Sequence, residues 1–244
     1  LYASMTLAIS TKPNATTVWL QRIQQTQRSG CLAIIAEIKL HTPTAGDLLR
    51  GRSLTDIVQA YENGGATCLS VVTGKWFGGD IQLLEKVAAV SQLPILRKDL
   101  IVNQKQLIES KQRGASAVLL TKKLLSEDHL QRLIDACLEL ELTPFLEVNN
   151  SEELRSLAAN PQIAVGICNR DIAQKEADTN SGLNNALLIN ELNVDVGAII
   201  SASGISGAAE AQHLQSLGFD GLLVGTALMT ATNTEQAVRE LVQN

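Results

Sequence analysis

The chain has 244 residues, 45% of them apolar and 3% aromatic, and a net charge of −5. That length matches the roughly 250 residues of one α/β barrel, and its positive charges are scattered instead of forming the basic face that nucleic acid demands. No apolar run approaches the roughly 18 residues of a membrane span, so a membrane partner is not expected either. Four cysteines, Cys31, Cys68, Cys137 and Cys168, share no metal-ligand spacing, which points to reduced thiols in a cytoplasmic protein and to no metal site.

Residues 1–31 read as a short N-terminal extension. Within it Thr16 to Arg28 sets Trp19, Leu20 and Ile23 at helical spacing, predicting one extra helix across an end of the fold. Short apolar runs then recur: Leu32 to Lys39, Cys68 to Thr73, Pro94 to Asp99, Ala117 to Leu120, Thr143 to Glu147, Val165 to Arg170, Gly197 to Ser201 and Gly221 to Gly225. They are continuous rather than alternating, as strands covered on both faces must be. Between them, segments with helical periodicity and polar starts run over Ser53 to Asn63, Asp80 to Ser91, Gln104 to Arg113, Ser126 to Glu141, Ser151 to Ala159, Leu183 to Leu192 and Ala208 to Leu217, and Thr234 to Val242 closes the chain. Strand and helix in strict alternation predict a (β/α)8 barrel, with residues 1–244 as one domain.

In such a barrel, chemistry gathers where strands end and the following loops begin. Glu37 and Lys39 lie two apart on the first strand and so share a face. Lys98, Glu147 and Arg170 end the third, fifth and sixth strands. Lysines and glutamates meeting in a partly desolvated mouth tune one another's protonation, which proton-transfer chemistry near neutral pH requires. The loops Ser203-Gly204 and Gly225-Thr226, after strands seven and eight, leave backbone N–H groups open to an anion, so a phosphorylated small molecule is the expected partner.

Ala36-Glu37-Ile38-Lys39 with Thr42-Pro43, Trp76-Phe77-Gly78-Gly79, Leu96-Arg97-Lys98-Asp99, Leu146-Glu147-Val148, Asn169-Arg170-Asp171, Ser203-Gly204-Ile205 and Val224-Gly225-Thr226 occur in the order found in the indole-3-glycerol phosphate synthase family, which the chain resembles from about Ile34 onward. The resemblance implies closure of the indole ring of 1-(2-carboxyphenylamino)-1-deoxyribulose 5-phosphate with loss of carbon dioxide and water, and no metal or organic cofactor. It implies Lys98 as general acid, Glu147 as the group for dehydration, Glu37 as a second proton-transfer candidate and Lys39 as the holder of the substrate carboxylate. It further implies Arg170, Phe77, Cys168 and Ser203 around the substrate, and Thr42, Gly204, Gly225 and Thr226 around its phosphate.

The chain also departs from the family. Cys168 stands where an asparagine is usual, Ala202 replaces a glutamate, Leu40 a basic residue and Leu100 a phenylalanine, and the loop from Ala173 to Asn184 differs. Three readings therefore stay open: a synthase, a paralogue acting on a related phosphorylated substrate, and a noncatalytic phosphate-ligand-binding barrel. A monomer or weak homo-oligomer is expected.

Overall fold

The computed structural model describes residues 16–169, 183 and 185–243. Eight parallel strands close into a barrel: β1 (Ala33–Ile38), β2 (Cys68–Val72), β3 (Ile95–Lys98), β4 (Ala117–Thr121), β5 (Thr143–Val148), β6 (Asn160–Cys168), β7 (Val196–Ala202) and β8 (Gly221–Val224). Each pairs with its neighbours in sequence, and β8 pairs with β1 through Ala33 opposite Gly221 and Ala36 opposite Val224. The expected (β/α)8 architecture is therefore present.

Side-chain alternation along each strand divides the core in two. Ala33, Ile35, Cys68, Leu96, Ala117, Leu119, Phe145, Ala164, Ala198, Ile200 and Leu223 fill the barrel interior, whereas Ile34, Ile38, Leu69, Val71, Val118, Leu120, Val165 and Ile167 face the surrounding helices. The strands are buried on both sides, which is why they read as unbroken apolar runs.

Helix α1 (Val18–Arg28) is the extra helix expected before the first strand. Its Trp19, Leu20 and Ile23 are fully buried against the interior cluster, and Trp19 meets Phe145 edge to face with ring centroids 5.9 Å apart. Gln24 Nε2 donates to Gly197 O at 3.0 Å, and Thr17 bonds Thr143, both partners lying at strand beginnings. The helix thus seals the N-terminal end of the barrel.

The outer helices are α2 (Leu54–Gly64), α3 (Ile81–Ala88), α4 (Gln104–Gln112), α5 (Glu127–Glu139), α6 (Ser151–Arg155) and α7 (Ala208–Ser216), then α8 (Thr226–Thr230) and α9 (Thr234–Val242). Side chains start many of them: Ser53 and Asn103 form reciprocal capping boxes with Asp56 and Gln106, and Asp80, Asn150 and Asn233 each accept from an N–H of the first turn.

Two expected helices are altered. The one expected over Ser151 to Ala159 stops at Arg155, because Asn160 must already be extended as the first residue of β6 and as the residue before Pro161. The one expected over Leu183 to Leu192 is a 3-10 helix, Ala186–Glu191. Its entry is pinned by Asn185, whose N–H donates to Asn169 Oδ1 and whose amide donates to Cys168 O, so side-chain bonds replace a regular first turn. Among the described residues no helix is long and apolar enough to cross a membrane, and none of the four cysteines forms a disulfide.

Candidate active site

Glu37 lies between two lysines at the C-terminal end of the barrel. It points inward from the top of β1, almost fully buried, with Oε1 3.3 Å from Lys39 Nζ and Oε2 3.8 Å from Lys98 Nζ. Ser70 on β2 donates to Oε2 at 3.4 Å, and Tyr61 of α2 donates to the Glu37 carbonyl at 3.0 Å. Burial, reinforced by the Glu37 charge, pushes the Tyr61 hydroxyl well above the ordinary phenol range, so it remains a neutral donor. A carboxylate between two ammonium groups is how charges of both signs survive together away from water: removing one partner leaves the other uncompensated.

The lysines are held from behind. Lys39 Nζ lies 5.1 Å above the centre of the buried Phe77 ring, a cation–π contact supplied by the 3-10 turn Lys75–Phe77 after β2. Lys98 ends β3, and its outward-facing neighbour Arg97 bonds Thr73, Ser110 and Asp99, each at 3.1 Å. That buried network fixes the strand end from which Lys98 projects.

Small-residue loops form the other side. A cavity of about 210 Å³ is lined by Glu37, Lys39, Ser203, Gly204, Gly225 and Thr226, among others. Gly225 is required here by space: a Cβ would stand 2.6 Å from Glu37 Oε1. Ser203 and Gly204 both have positive φ, 69° and 76°, and the value is costly for the serine. The Asn169 amide compensates by donating to Ala202 O at 3.0 Å and to Ser203 O at 3.1 Å.

Glu147 is buried on the inner face of β5, in register with Thr121 of β4 and Gly166 of β6. Cys168 ends β6 opposite Ala202 of β7, with its sulfur 3.6 Å from the Ser203 hydroxyl. Thr42 is buried in a two-residue strand pair after β1, and its hydroxyl accepts from Ala45 N–H at 3.0 Å; it does not line the cavity. Arg170 and the loop 173–182 lie outside the described residues. The sequence reading missed Ser70 and Tyr61 on Glu37, the Arg97 network and the Asn169 clamp, all of which depend on neighbours distant in sequence. Among the described residues, no group of three or more histidine, cysteine or acidic side chains is arranged to hold a metal ion.

A closed parallel barrel with acidic and basic side chains at its C-terminal rim, beside small-residue loops after β7 and β8, has the layout of a (β/α)8 enzyme. The family model for indole-3-glycerol phosphate synthase matches residues 3–241, and the chain belongs to that family. Relatives of that name include one from Thermococcus kodakarensis, 39% identical over 86% of this chain and 92% of its own length. Others are from Desulforamulus reducens, at 35% identity over 87% and 80% of the two chains, and Streptococcus pneumoniae, at 33% over 91% and 89%. Among solved structures, tryptophan synthase from M. tuberculosis has a TM-score of 0.66 at 14% identity, covering 93% of this chain and 97% of its own, a likeness of fold alone.

Proposed function

We infer that this chain is an indole-3-glycerol phosphate synthase, a decarboxylating lyase that closes the indole ring of 1-(2-carboxyphenylamino)-1-deoxyribulose 5-phosphate. The observation that carries the reading is Glu37 set between Lys39 and Lys98 in a buried mouth, with Gly225 against the same carboxylate. Relatives of that name at 33% to 39% identity do not favour the divergent-paralogue or noncatalytic alternatives.

The reaction needs an acid at the ribulose carbonyl, a cation for the aryl carboxylate, a base for the later proton loss and a grip on phosphate. Lys98 protonates the carbonyl oxygen as the ring carbon bearing the carboxylate attacks the carbonyl carbon. Lys39, supported on Phe77, holds that carboxylate until the bond to it breaks and carbon dioxide leaves, returning its electron pair to the ring. The new hydroxyl then takes a proton from the Lys39 ammonium and departs as water, while Glu147 takes the proton that the neighbouring ring carbon sheds and the double bond of the pyrrole ring forms. Glu37 sets the charge and position of both lysines and is a second proton-transfer group. Backbone N–H groups of the Gly204 and Gly225-Thr226 loops bind the phosphate, with help from Thr42 in the loop after β1. Ser203, Cys168 and Arg170 complete the substrate's surroundings.

The same reading makes the protein cytoplasmic, a monomer or weak homo-oligomer whose partner is this phosphorylated small molecule. Incubating the purified protein with the carboxyphenylamino-deoxyribulose phosphate should release the fluorescent indole product. A folded protein that releases none would overturn the reading.

A further inference from the structure

Thr121 is the last residue of β4, two positions beyond Leu119 and four beyond Ala117, both of which pack inside the barrel. Alternation therefore turns its side chain inward, one layer above the apolar plug and in register with Glu147. The residue is 3% exposed, yet its hydroxyl has no hydrogen-bond partner among the described residues. Both amide atoms of Asn149, two residues beyond Glu147, are unpartnered in the same way.

Buried hydroxyls are almost always bonded, because leaving one unpaired sacrifices its hydration for nothing. An apolar residue would suit a purely structural position in this wall better. A buried hydroxyl that faces the barrel mouth without a protein partner is instead suited to a bond with a ligand. The geometry of the ring says which part of the ligand that is. In a closed circle of eight strands β4 stands opposite β8, so a substrate gripped at Gly225-Thr226 crosses the mouth and presents its far end to Thr121.

We propose that Thr121 is a substrate-contacting residue whose hydroxyl bonds the polar carboxyphenylamino end of the substrate, fixing that end beside Glu147. The proposal rests on the synthase reading above. Threonine is nearly isosteric with valine, so Thr121→Val removes the bond while keeping the shape, and Thr121→Ser keeps the hydroxyl.

The test measures steady-state kinetics and thermal unfolding of the wild-type protein and both variants. Thr121→Val should unfold at the wild-type temperature or above it, because a buried unpaired hydroxyl has been removed, and should lose about tenfold in kcat/KM, the scale of one hydrogen bond. Thr121→Ser should stay within about threefold of wild type. Unchanged kinetics in Thr121→Val, beside an active wild type, would overturn the role of Thr121 and leave the synthase reading intact. A serine variant as slow as the valine one would overturn it too, since shape and not the hydroxyl would be responsible. A wild type without turnover removes the synthase reading and this proposal with it.

Discussion

Gly225 and Glu37 sit so close that a methyl group on the glycine would lie 2.6 Å from the carboxylate oxygen and 3.3 Å from the glutamate Cβ. The loop after β8 that lines the cavity and the carboxylate between the two lysines are therefore in contact, through adjacent strands β8 and β1. On the proposed reading, phosphate grip and proton chemistry would share one boundary.

Gly225→Ala tests that contact. The new Cβ must displace the Glu37 carboxylate, and displacement of reacting groups by about 1 Å can cost on the order of a hundredfold in rate. We expect kcat to fall by about tenfold to a hundredfold with circular dichroism unchanged. A folded variant with wild-type kcat would mean that the position of Glu37 does not control the chemistry.

Lys98→Met separates chemistry from binding. Loss of a general acid typically removes about a hundredfold or more in kcat, while the β7 and β8 loops that line the cavity are untouched. Calorimetry with inorganic phosphate should give an affinity like that of the wild type. Near-normal turnover in the folded variant would remove Lys98 from the proton-transfer step.

The barrel was legible because its signals are local. A strand buried on both faces must be apolar throughout, and residues two apart must share a face, so Glu37 and Lys39 could be paired from their spacing alone. The partnership of Glu37 with Lys98 was not readable in that way, since it arises from strands β1 and β3 being curved around one axis. The Asn169 clamp was missed because its acceptors, Ala202 and Ser203, lie at the end of another strand and in the loop after it. Thr42 was grouped with the phosphate residues by resemblance alone; that its hydroxyl accepts from Ala45 N–H in its own turn depends on the loop geometry after β1. Helix α6 was overextended because periodicity persists to Ala159 while Pro161 and the entry to β6 demand extended chain before it.

Trp19→Ala should separate stability from activity. Trp19 is fully buried in the N-terminal plug, and deleting such a side chain typically costs about 3–5 kcal/mol. The midpoint of denaturant unfolding should fall accordingly. Because α1 packs against strand beginnings, kcat per folded molecule should stay near the wild-type value at a temperature where the variant is folded. A large loss of kcat under those conditions would show that the plug also shapes the mouth.

Cys168 and Ala202 face each other in register at the ends of β6 and β7, both buried, where the resembled family carries an asparagine and a glutamate. Two small side chains leave that sector with less polar reach than an amide and a carboxylate have. If the substitutions weaken substrate contacts, Cys168→Asn with Ala202→Glu should raise kcat/KM above the wild-type value. The residues are neighbours and face one ligand, so their effects should not add, and the double variant must be measured beside both singles. The glutamate alone brings a third carboxylate to a mouth that already holds Glu37 and Glu147 and must admit phosphate, so Ala202→Glu by itself should raise KM. Asparagine at 168 can donate to the new carboxylate across the strand pair, and the double variant should recover what the single loses. A folded double variant no better than Ala202→Glu would show that asparagine at 168 does not relieve the new carboxylate and that Cys168 and Ala202 already suit the native substrate.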